Sequence, residues 1–475
     1  MGKSIKTWLL RFLFIIGAVL FYEIVGALVP FVHTKSVSEE YKNSVSTEEF
    51  YQVDQVKDRA AVIETNQEAL DVRLSMFEEA KESIVLSTFD MREGECTKEI
   101  LASLVQAADR GVKVQILVDG MYGLLHMGGR SIFYAAGENK NIEIRFYNTP
   151  NLIAPWTMNG RMHDKYILID NKLLLMGGRN TFDYFLGEYP NQSTGYDREV
   201  LVYHKSGKKE EQSAVTQVRK YFNGVWDRSE CKTVFDKTPK WKEKDVIKWK
   251  EQFTAIYKNG KMDIVKWDYE KGTVPIEHAS FVSNPTHIYS KEPYVWYRLS
   301  ALMKQAKGKV LIQSPYAVFS QEMYDGMKEI AQNVPGSVLL INSVAVGDNF
   351  VASSDYIHNW EKVCDTNLVV KEYFGSWSSH GKSLLVDDDI SAVGSYNFDM
   401  RSTYVDTETM LVIHGREFNK KLSKKISVME KASLTRKKDG SYEKKDDVKK
   451  REISDNKRKL FWFTSRLIQP FRYLA

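Results

Sequence analysis

The sequence has 475 residues, of which 43% are hydrophobic, so the chain is long enough to bury two sizeable cores. The formal net charge is only +5, which is far from the strongly basic balance of a typical nucleic-acid-binding protein. Cys96, Cys231 and Cys364 are widely spaced, so they form neither a zinc-ligand pattern nor a disulfide framework. We expect at least two of them to be buried as small hydrophobic side chains.

The N-terminal segment, residues 1–33, predicts a membrane anchor. A basic flank precedes an apolar run from Phe12 to Val32, which is long enough for a transmembrane helix of about 20 residues. Because the basic residues come first, the positive-inside rule predicts a single-pass protein of the cell membrane with a cytoplasmic N-terminus and an extracytoplasmic body. A signal peptide cleaved near Ala27 is the alternative, but the apolar run continues past that point and favours the anchor. Residues 34–65 are polar and predict a stalk or a first helix.

The first globular domain is expected over residues 66–231. A helix over Asn66–Lys81 is followed by a buried strand, a helix capped by Thr97, and a second strand. A strand, a helix and a strand within about 35 residues predict a parallel β-α-β unit and the α/β class. Asp90 and Asp119 follow the two strands, where a solvated loop position is favoured over one that faces a site.

One stretch of the chain, Arg161–Asn180, occurs a second time as Ser378–Asn397. The copies fall into register when His163 is placed on His380, and such a repeat predicts two copies of one folding unit. The other matched positions are Lys165 with Lys382, Asp170 with Asp387, Gly177 with Gly394, Asn180 with Asn397, and Glu199 with Glu408. The first copy has 36 positions from its histidine to its glutamate against 28 in the second, which predicts a loop insertion within Gly187–Thr194.

Each copy combines residue types that suit reaction at a phosphate. The His-x-Lys pair begins an apolar strand, so both side chains point to one face. A histidine is a nucleophile and proton carrier near neutral pH, and a lysine binds a phosphate oxygen. The amides of Asn180 and Asn397 can donate hydrogen bonds to the same oxygens. With two such sets around one phosphate, one histidine can attack phosphorus while the other moves protons, and the lysines supply the positive field, so neither a metal nor another cofactor is expected.

The doubled H-x-K-x-x-x-x-D pattern, followed each time by Gly, Gly or Ser, any residue and Asn, resembles the phospholipase D superfamily. The details of Gly177–Phe185 and Gly394–Ser402 resemble its bacterial cardiolipin-synthase branch. The resemblance runs from Ser83 to Gly415. It implies an α/β fold of two α/β/α sandwich domains, related by a pseudo-two-fold axis, with one active site shared between them.

The resemblance also assigns roles to the matched residues. It places the catalytic signature on His163, Lys165, Asp170, His380, Lys382 and Asp387, with the two aspartates more structural than directly catalytic. It implies a phosphohistidine intermediate at His163, with His380 as general acid and then base. Glu199 and Glu408 match the acidic position that orients each histidine through its other ring nitrogen, and Asn180 and Asn397 match the phosphate contacts.

A connector, a second domain and a tail make up the remainder. Residues 232–285 are the connector between the two halves or an extension of the first half. They are rich in lysine and tryptophan, which suits anionic headgroups, nucleic acid or, most ordinarily, a solvated helix face. The second domain, residues 286–430, is expected to repeat the first. Residues 431–475 begin as a flexible charged stretch and end in aromatic residues mixed with arginine, which predict either an interfacial anchor or a segment docked on the protein itself.

Pro150–Gly160 is expected as a loop over the site, either contacting acyl chains or packing under a lid.

Together with these features, the resemblance implies a membrane-anchored phosphatidyltransferase that converts two phosphatidylglycerols into cardiolipin and glycerol. Its expected partners are phospholipid and the membrane, with no nucleic acid. A phospholipase that hydrolyses the same bond is the nearest alternative. A nuclease of the same fold and a non-catalytic membrane scaffold are the other two, and the modest net charge argues against the nuclease.

Overall fold

The computed structural model describes residues 2–55, 58–190, 193–258 and 264–475. Met1, residues 56–57 of the predicted stalk, residues 191–192 of the predicted insertion and residues 259–263 of the predicted connector lie outside the described residues. The helices are α1 (Gly2–Leu28), α2 (Glu39–Ser44), α3 (Asn66–Glu79), α4 (Glu95–Asp109), α5 (Gly120–His126), α6 (Ser131–Gly137), α7 (Ala214–Trp226), α8 (Glu243–Lys258), α9 (Tyr269–Gly272), α10 (Tyr294–Lys304), α11 (Gln321–Asn333), α12 (Phe350–Cys364), α13 (Met400–Tyr404), α14 (Arg416–Lys431) and α15 (Asp455–Leu467). The strands are β1 (Arg59–Ile63), β2 (Ser83–Thr88), β3 (Lys113–Asp119), β4 (Ile142–Tyr147), β5 (Tyr166–Ile169), β6 (Leu173–Gly177), β7 (Gly195–Tyr196), β8 (Glu199–Tyr203), β9 (Cys231–Val234), β10 (Val274–Pro275), β11 (His278–Ser283), β12 (Val310–Gln313), β13 (Val338–Asn342), β14 (Val369–Tyr373), β15 (Ser378–Ser379), β16 (Ser383–Val386), β17 (Ile390–Gly394), β18 (Thr409–His414) and β19 (Ser433–Thr435).

Two mixed sheets carry the internal repeat. The first has the strand order β10-β1-β8-β6-β5-β2-β3-β4-β9, and the second has the order β11-β18-β17-β16-β12-β13-β14-β19. Apart from the added edge strand β10, the positions correspond one to one, and β5 and β16 each begin directly after a His-x-Lys segment. The predicted β-α-β unit is confirmed, because β2 and β3 pair in parallel with Ile84 beside Val114. The repeat in the sequence is therefore a repeat of topology.

Buried apolar cores lie on both faces of each sheet. Helices α7 and α14 share one core with the inner faces of both sheets, where Leu168 of the first meets the same cluster as Leu385 of the second. Helices α3, α4, α6 and α8 cover the outer face of the first sheet, and α10, α11 and α12 cover that of the second. Cys96, Cys231 and Cys364 are free and buried, as expected. The predicted α/β class with two sheet-containing domains is confirmed.

Helix α4 begins differently from the prediction. Thr97 is not its N-cap, because the helix already starts at Glu95 after the extended residue Gly94. The first turn is capped from a distance by Asp183, whose carboxylate accepts hydrogen bonds from the backbone N of Glu95 at 3.0 Å and of Cys96 at 2.9 Å. A carboxylate at a helix N-terminus satisfies unpaired N–H groups and favours the helix dipole. A cap that comes from another segment leaves no local signal in the sequence.

Helix α1 projects from the body as an exposed apolar helix. Ile5–Phe31 is long and apolar enough to cross a membrane, and the side chains of residues 5–22 are exposed. In the last two turns Glu23, Gly26 and Ala27 are half-buried, and their spacing places them on one helical face. The one acidic residue of the apolar run therefore points toward the protein, which lowers the cost of having it there.

The predicted stalk is wrong, because most of it packs on the globular body. Phe50 lies in the outer core of the second sheet, and the ring of Tyr41 stacks on Tyr294 with centroids 3.5 Å apart. Arg59–Ile63 forms β1 inside the first sheet, where it pairs with β8. A few apolar side chains in a polar segment were enough to dock it, and the average composition of the segment conceals them.

The connector and the tail also extend the two domains. Helix α8 packs against α4 and α6, while β10 joins the first sheet and β11 already belongs to the second. In the tail, β19 pairs with β14, so the first residues of the stretch that was predicted to be flexible form an edge strand of the second sheet. Helix α15 docks on α12, where Phe461 stacks on Phe350 with centroids 4.6 Å apart. Its opposite face stays exposed, so α15 is a docked segment with an unpaired apolar side.

Candidate active site

Backbone pairing between the two halves brings both motifs to one interface. His163 N donates to Thr407 O at 3.3 Å, and Thr407 N donates to Arg161 O at 2.9 Å, which ties the first motif to the second half. In the reciprocal contact, β15 pairs in parallel with β7, and His380 N donates to Tyr196 O at 2.6 Å. Each motif histidine therefore lies against the chain of the other half.

His163 is held by a carboxylate from the opposite half. Its Nδ1 lies 2.7 Å from Glu408 Oε1, and the buried Glu408 also accepts a hydrogen bond from Ser395 Oγ. Burial, followed by the charges of Lys165 and Lys382, lowers the pKa of His163 well below its usual value. Burial raises the pKa of Glu408, and its Oε1 lies where it can accept a hydrogen bond from Nδ1–H of His163. This arrangement leaves the imidazole neutral with the lone pair of Nε2 available.

His380 has a different partner, which carries a firmer negative charge. Its Nδ1 lies 2.6 Å from Asp197 Oδ2 and 2.6 Å from Lys382 Nζ. Burial alone would raise the pKa of Asp197, but Lys382 and His380 outweigh it and lower that pKa to about 2. Burial and then Lys382 lower the pKa of His380, while Asp197 opposes the shift. Of the two histidines, His380 is therefore better placed to carry a second proton.

Two buried lysines make the site electropositive. Lys165 Nζ donates to the carbonyl oxygen of His163 at 2.6 Å, and Lys382 makes the matching hydrogen bond in the second half. Burial lowers the pKa of Lys165 to about 7; Glu408 opposes this shift, and the charge of Lys382 adds to it. The ring of Phe89 covers this side, with its centroid 5.0 Å from Lys165 Nζ and 4.9 Å from the centroid of the His163 ring. An anion between the lysines would relieve their repulsion, so the site suits phosphate oxygens.

The two asparagines complete the polar lining. The Oδ1 atoms of Asn180 and Asn397 are buried without a hydrogen-bond partner among the described residues, and Asn397 Nδ2 donates to Tyr316 Oη at 3.2 Å. Asn180, Tyr316 and His380 line a cavity of about 900 Å³, a volume in the range of small-molecule sites. The rest of the lining is mainly aromatic and acidic, and includes Phe89, Tyr122, Phe182, Phe185, Phe350, Asp90 and Asp348. Within the described ranges, no group of three or more His, Cys, Asp or Glu side chains is placed to hold a metal ion.

The motif aspartates lie away from the histidines. The Asp170 carboxylate accepts hydrogen bonds from the backbone N of residues 81–83 at 2.7 to 3.0 Å, and Asp387 does the same for residues 307–309 at 2.8 to 3.1 Å. In each half, the motif lysine comes just before a strand and the motif aspartate just after it. The length of that strand therefore separates the lysine from the aspartate by roughly 15 Å. Both aspartates have positive φ angles, +49° and +51°, which aspartate tolerates better than most residues. The structure gives them a role in the turn before β2 or β12 and no contact with the site.

Glu199 does not contact a histidine, contrary to the expectation from the repeat. Its carboxylate accepts a hydrogen bond from Arg73 at 2.8 Å and pairs with Arg179 at 3.4 Å. The position equivalent to Arg179 in the second half is Tyr396, so only the first glutamate is neutralised in this way. Asp197, two residues earlier, takes its place on the second histidine. The unmatched arginine was the only sequence signal of this asymmetry.

Two further acids that were expected in solvated loops are buried at the site. Asp119 is fully buried; its Oδ2 accepts a hydrogen bond from Met162 N at 3.0 Å and lies 3.5 Å from Arg161 Nε. Asp90 is 1% exposed, and its Oδ1 lies 2.6 Å from His126 Nδ1. Asp119 therefore fixes the backbone beside the first histidine. Its position at a strand end was compatible with this role but favoured a solvated loop.

The loop over Pro150–Gly160 docks on α1 instead of covering the cavity. Tyr22 Oη donates to Ile153 O at 2.7 Å, and Asn159 Nδ2 donates to Ala27 O at 2.7 Å. The described lining of the cavity comes from residues 89–93, 180–185 and 348–350, together with single residues elsewhere. The loop that was expected over the site is therefore a contact between the body and the apolar helix.

Two sheets of one topology, each lending a His-x-Lys pair to a common interface, define a protein of the phospholipase D type. The sequence model of the family described as "Cardiolipin synthase, PLD-like domain" matches residues 74–226 and 299–429, and the chain belongs to this family. These two stretches contain both motifs and both sheets' central strands.

Relatives and solved structures agree with this assignment. Cardiolipin synthase of Staphylococcus aureus is 25% identical over 359 residues, which cover 75% of this chain and 64% of that protein. Cardiolipin synthase B of Salmonella typhi is 26% identical over 351 residues, with 72% and 73% covered. The crystal structure of phosphatidylserine synthase from Haemophilus influenzae has a TM-score of 0.64 at 14% identity and covers 90% of this chain and 100% of that one, so the two share the fold. The chain thus spans just under two thirds of the staphylococcal relative.

Proposed function

We propose that the chain is a membrane-anchored phosphatidyltransferase that makes cardiolipin and glycerol from two molecules of phosphatidylglycerol. The observation that carries the proposal is the pair of imidazoles at one interface, each with a buried carboxylate on Nδ1 and a buried lysine beside it. The relatives named cardiolipin synthase support a phospholipid substrate.

In the first half-reaction, His163 Nε2 attacks the phosphorus of one phosphatidylglycerol. The new P–N bond forms as the bond from phosphorus to the glycerol oxygen breaks, and His380 gives its Nε2 proton to that oxygen. Lys165 and Lys382 stabilise the charge on the non-bridging oxygens. Glycerol leaves, and the phosphatidyl group remains on the histidine.

In the second half-reaction, the headgroup hydroxyl of another phosphatidylglycerol takes the place of glycerol. His380, now neutral, accepts the hydroxyl proton while the oxygen attacks phosphorus. The P–O bond forms, the P–N bond to His163 breaks, and both histidines return to their starting states. Cardiolipin is the product.

The assignment of nucleophile and acid rests on the two carboxylates. Glu408, with its raised pKa, stabilises a proton on His163 Nδ1 without supporting a full imidazolium. Asp197, with a pKa of about 2, is ionised at every working pH and favours a protonated His380. A neutral imidazole is the better nucleophile and an imidazolium the better acid.

A phospholipase is the second candidate, because water can enter in place of the acceptor hydroxyl. The open cavity of about 900 Å³, which has polar as well as aromatic walls, is the observation that favours it. The two candidates share the first half-reaction and differ only in what attacks the phosphohistidine.

The experiment is turnover of phosphatidylglycerol by the full-length protein in mixed micelles, with lipid products resolved by mass spectrometry. We expect cardiolipin and glycerol, lost in His163→Ala and in His380→Ala. Phosphatidic acid as the main product would select the phospholipase. Cleavage of single-stranded DNA without lipid turnover would establish a nuclease. Absence of any turnover by a folded, lipid-bound protein would favour a non-catalytic membrane scaffold.

We also propose that α1 is a single transmembrane helix with its N-terminus in the cytoplasm. Its N-terminal flank carries Lys3, Lys6 and Arg11, while the body lies at its C-terminal end. A cysteine placed at Lys449 in the tail should react with a membrane-impermeant maleimide on intact cells. Labelling only after the cells are lysed would put the body inside.

A further inference from the structure

Exposed apolar side chains gather on three segments, two of which border the active-site cavity. They lie on α5, on the loop over residues 151–156, and on α15 with the short 3-10 helix Gln469–Leu474 that follows it. Leu125 is 67% exposed, Ile153 83% and Phe463 59%. We call these three segments the apolar rim. Large apolar side chains clustered at this level of exposure mark an interaction surface.

Two segments of the apolar rim border the active-site cavity. Helix α5 presents Tyr122 to the cavity and leaves Leu124 and Leu125 exposed. Helix α15 stacks Phe461 on Phe350, which lines the cavity from the second half, and leaves Trp462 exposed. The apolar surface therefore continues from both sides of the cavity mouth.

The same rim is fastened to the apolar helix α1. Tyr22 Oη donates to Ile153 O at 2.7 Å, which joins the loop to α1 two turns before its end. Tyr473 Oη, from the 3-10 helix after α15, donates to Leu28 O at 3.2 Å. The loop and the 3-10 helix thus lie beside the point where α1 enters the body, at the level of its last two turns.

The length of α1 decides what the rim contacts. If the body stayed wholly outside the bilayer, only the part before the loop contact, Ile5–Phe21, would be left to span it. That part has 17 residues (21 − 5 + 1), or about 25 Å at 1.5 Å each, which is shorter than the ~30 Å of a hydrocarbon core. A spanning α1 therefore brings the loop at residues 151–156 down into the membrane interface.

Charge on α15 fits the same surface. The helix carries Lys457, Arg458, Lys459 and Arg466 against the single acid Asp455, a balance of four minus one, or +3. Its aromatic residues Trp462 and Phe463 are both 59% exposed. Basic residues combined with exposed aromatic ones favour the headgroup region of an anionic bilayer.

We propose that the apolar rim is inserted in the headgroup region of the phospholipid bilayer, so that the cavity opens on the membrane surface. This inference rests on the proposed function, whose two substrates are both lipids of that bilayer. A phospholipid then reaches His163 and His380 by its headgroup alone, while its acyl chains stay in the membrane. The product, with four acyl chains, leaves by the same path without crossing water.

Depth-dependent quenching tests the placement directly. The three native cysteines are buried, so one cysteine introduced on the surface can be labelled alone with an environment-sensitive fluorophore. Ile153→Cys and Phe463→Cys are compared with Asp388→Cys, a 73% exposed site at the strand ends farthest from the histidines. In nanodiscs of phosphatidylglycerol with brominated lipid, we expect quenching at the first two sites and none at the third. Equal quenching by brominated lipid at all three sites, or no quenching at Ile153→Cys and Phe463→Cys, overturns the proposal.

A second experiment separates this inference from the proposed activity. Ile153→Asp combined with Phe463→Asp should lower turnover of long-chain phosphatidylglycerol in vesicles about tenfold or more, because charged side chains leave the interface. The same variant should turn over a water-soluble short-chain phosphatidylglycerol at the unaltered rate. Ile247→Asp, at a similarly exposed apolar residue outside the rim (57%), is the matched control and should change neither rate.

The outcomes are distinguishable. Equal loss on both substrates, or no loss on vesicles, overturns the membrane-facing rim even if the enzyme is active. No turnover of either substrate by the unaltered protein overturns the proposed function, while the quenching result still reports where the rim lies.

Discussion

Replacing Asp197 with asparagine tests which acid serves His380. The Asp197 carboxylate is fully buried, 2.6 Å from His380 Nδ1 and 3.6 Å from Lys382 Nζ. Asparagine keeps the size of the side chain and removes its charge. The imidazolium at position 380 then loses its only close anionic partner among the described contacts of that ring, and its pKa falls.

The size of the effect follows from the pKa of Asp197. Against the effect of burial, Lys382 and His380 lower it from 3.8 to about 2. Because this net shift already includes the opposing effect of burial, the interaction with these cations is worth at least about 2 kcal/mol. Since the interaction is reciprocal and shared between two partners, we expect the pKa of His380 to fall by about one unit in the variant. At a pH above that pKa, the protonated fraction and the rate of leaving-group protonation fall about tenfold.

The measurement is the pH dependence of kcat with phosphatidylglycerol in mixed micelles. Because the acid must be protonated, activity declines as pH rises through its pKa, so the alkaline limb should move about one unit toward acid in Asp197→Asn. Glu199→Gln is the matched control, since the repeat places that residue in the equivalent role. It should leave the profile in place and lower the melting temperature by several degrees, because Arg73 and Arg179 lose their buried anion.

The opposite pattern would refute the reasoning. A shifted alkaline limb in Glu199→Gln with an unchanged one in Asp197→Asn means that the symmetric partner orients the histidine after all. Loss of folding in Asp197→Asn is checked by its thermal melt, and Asp197→Glu should then restore part of the profile.

Three further predictions follow from the same contacts. The first uses a phosphatidyl p-nitrophenyl ester, whose leaving group needs no proton. In stopped-flow absorbance, His380→Ala should release one nitrophenolate per site and then stall, and His163→Ala should release none. A burst in His163→Ala and none in His380→Ala would reverse the two roles. Asp170→Ala should lower the melting temperature by several degrees through loss of its three backbone hydrogen bonds, while kcat per folded molecule stays within about twofold of the parent; a large fall in kcat would return this residue to the catalytic set. Binding of vanadate at pH 8 should take up a proton, because the pKa of Lys165 is about 7 and rises when an anion binds; titration calorimetry in two buffers should show this uptake at pH 8, little at pH 6, and none in Lys165→Met.

Most of the topology was readable from the chain because local patterns encode it. The strand-helix-strand order over β2, α4 and β3, and the matched spacing from His163 to Asn180 and from His380 to Asn397, predicted two copies of one α/β unit. The segments that were misread are those docked by few contacts. Phe50 places the supposed stalk in a core, and Asp183 caps α4 from 88 residues away.

The sequence by itself determined the repeat, the residue types of the two half-sites and the apolar helix, because each of these is a pattern of neighbours along the chain. Only the tertiary structure decided that Glu408 serves His163 while Asp197 serves His380. The choice depends on a buried arginine at position 179 that has no counterpart in the second half, and on strands from each half lying against the other. Contacts of that kind are set by packing in three dimensions; the register of the two copies shows the unmatched arginine but not which acid it neutralises.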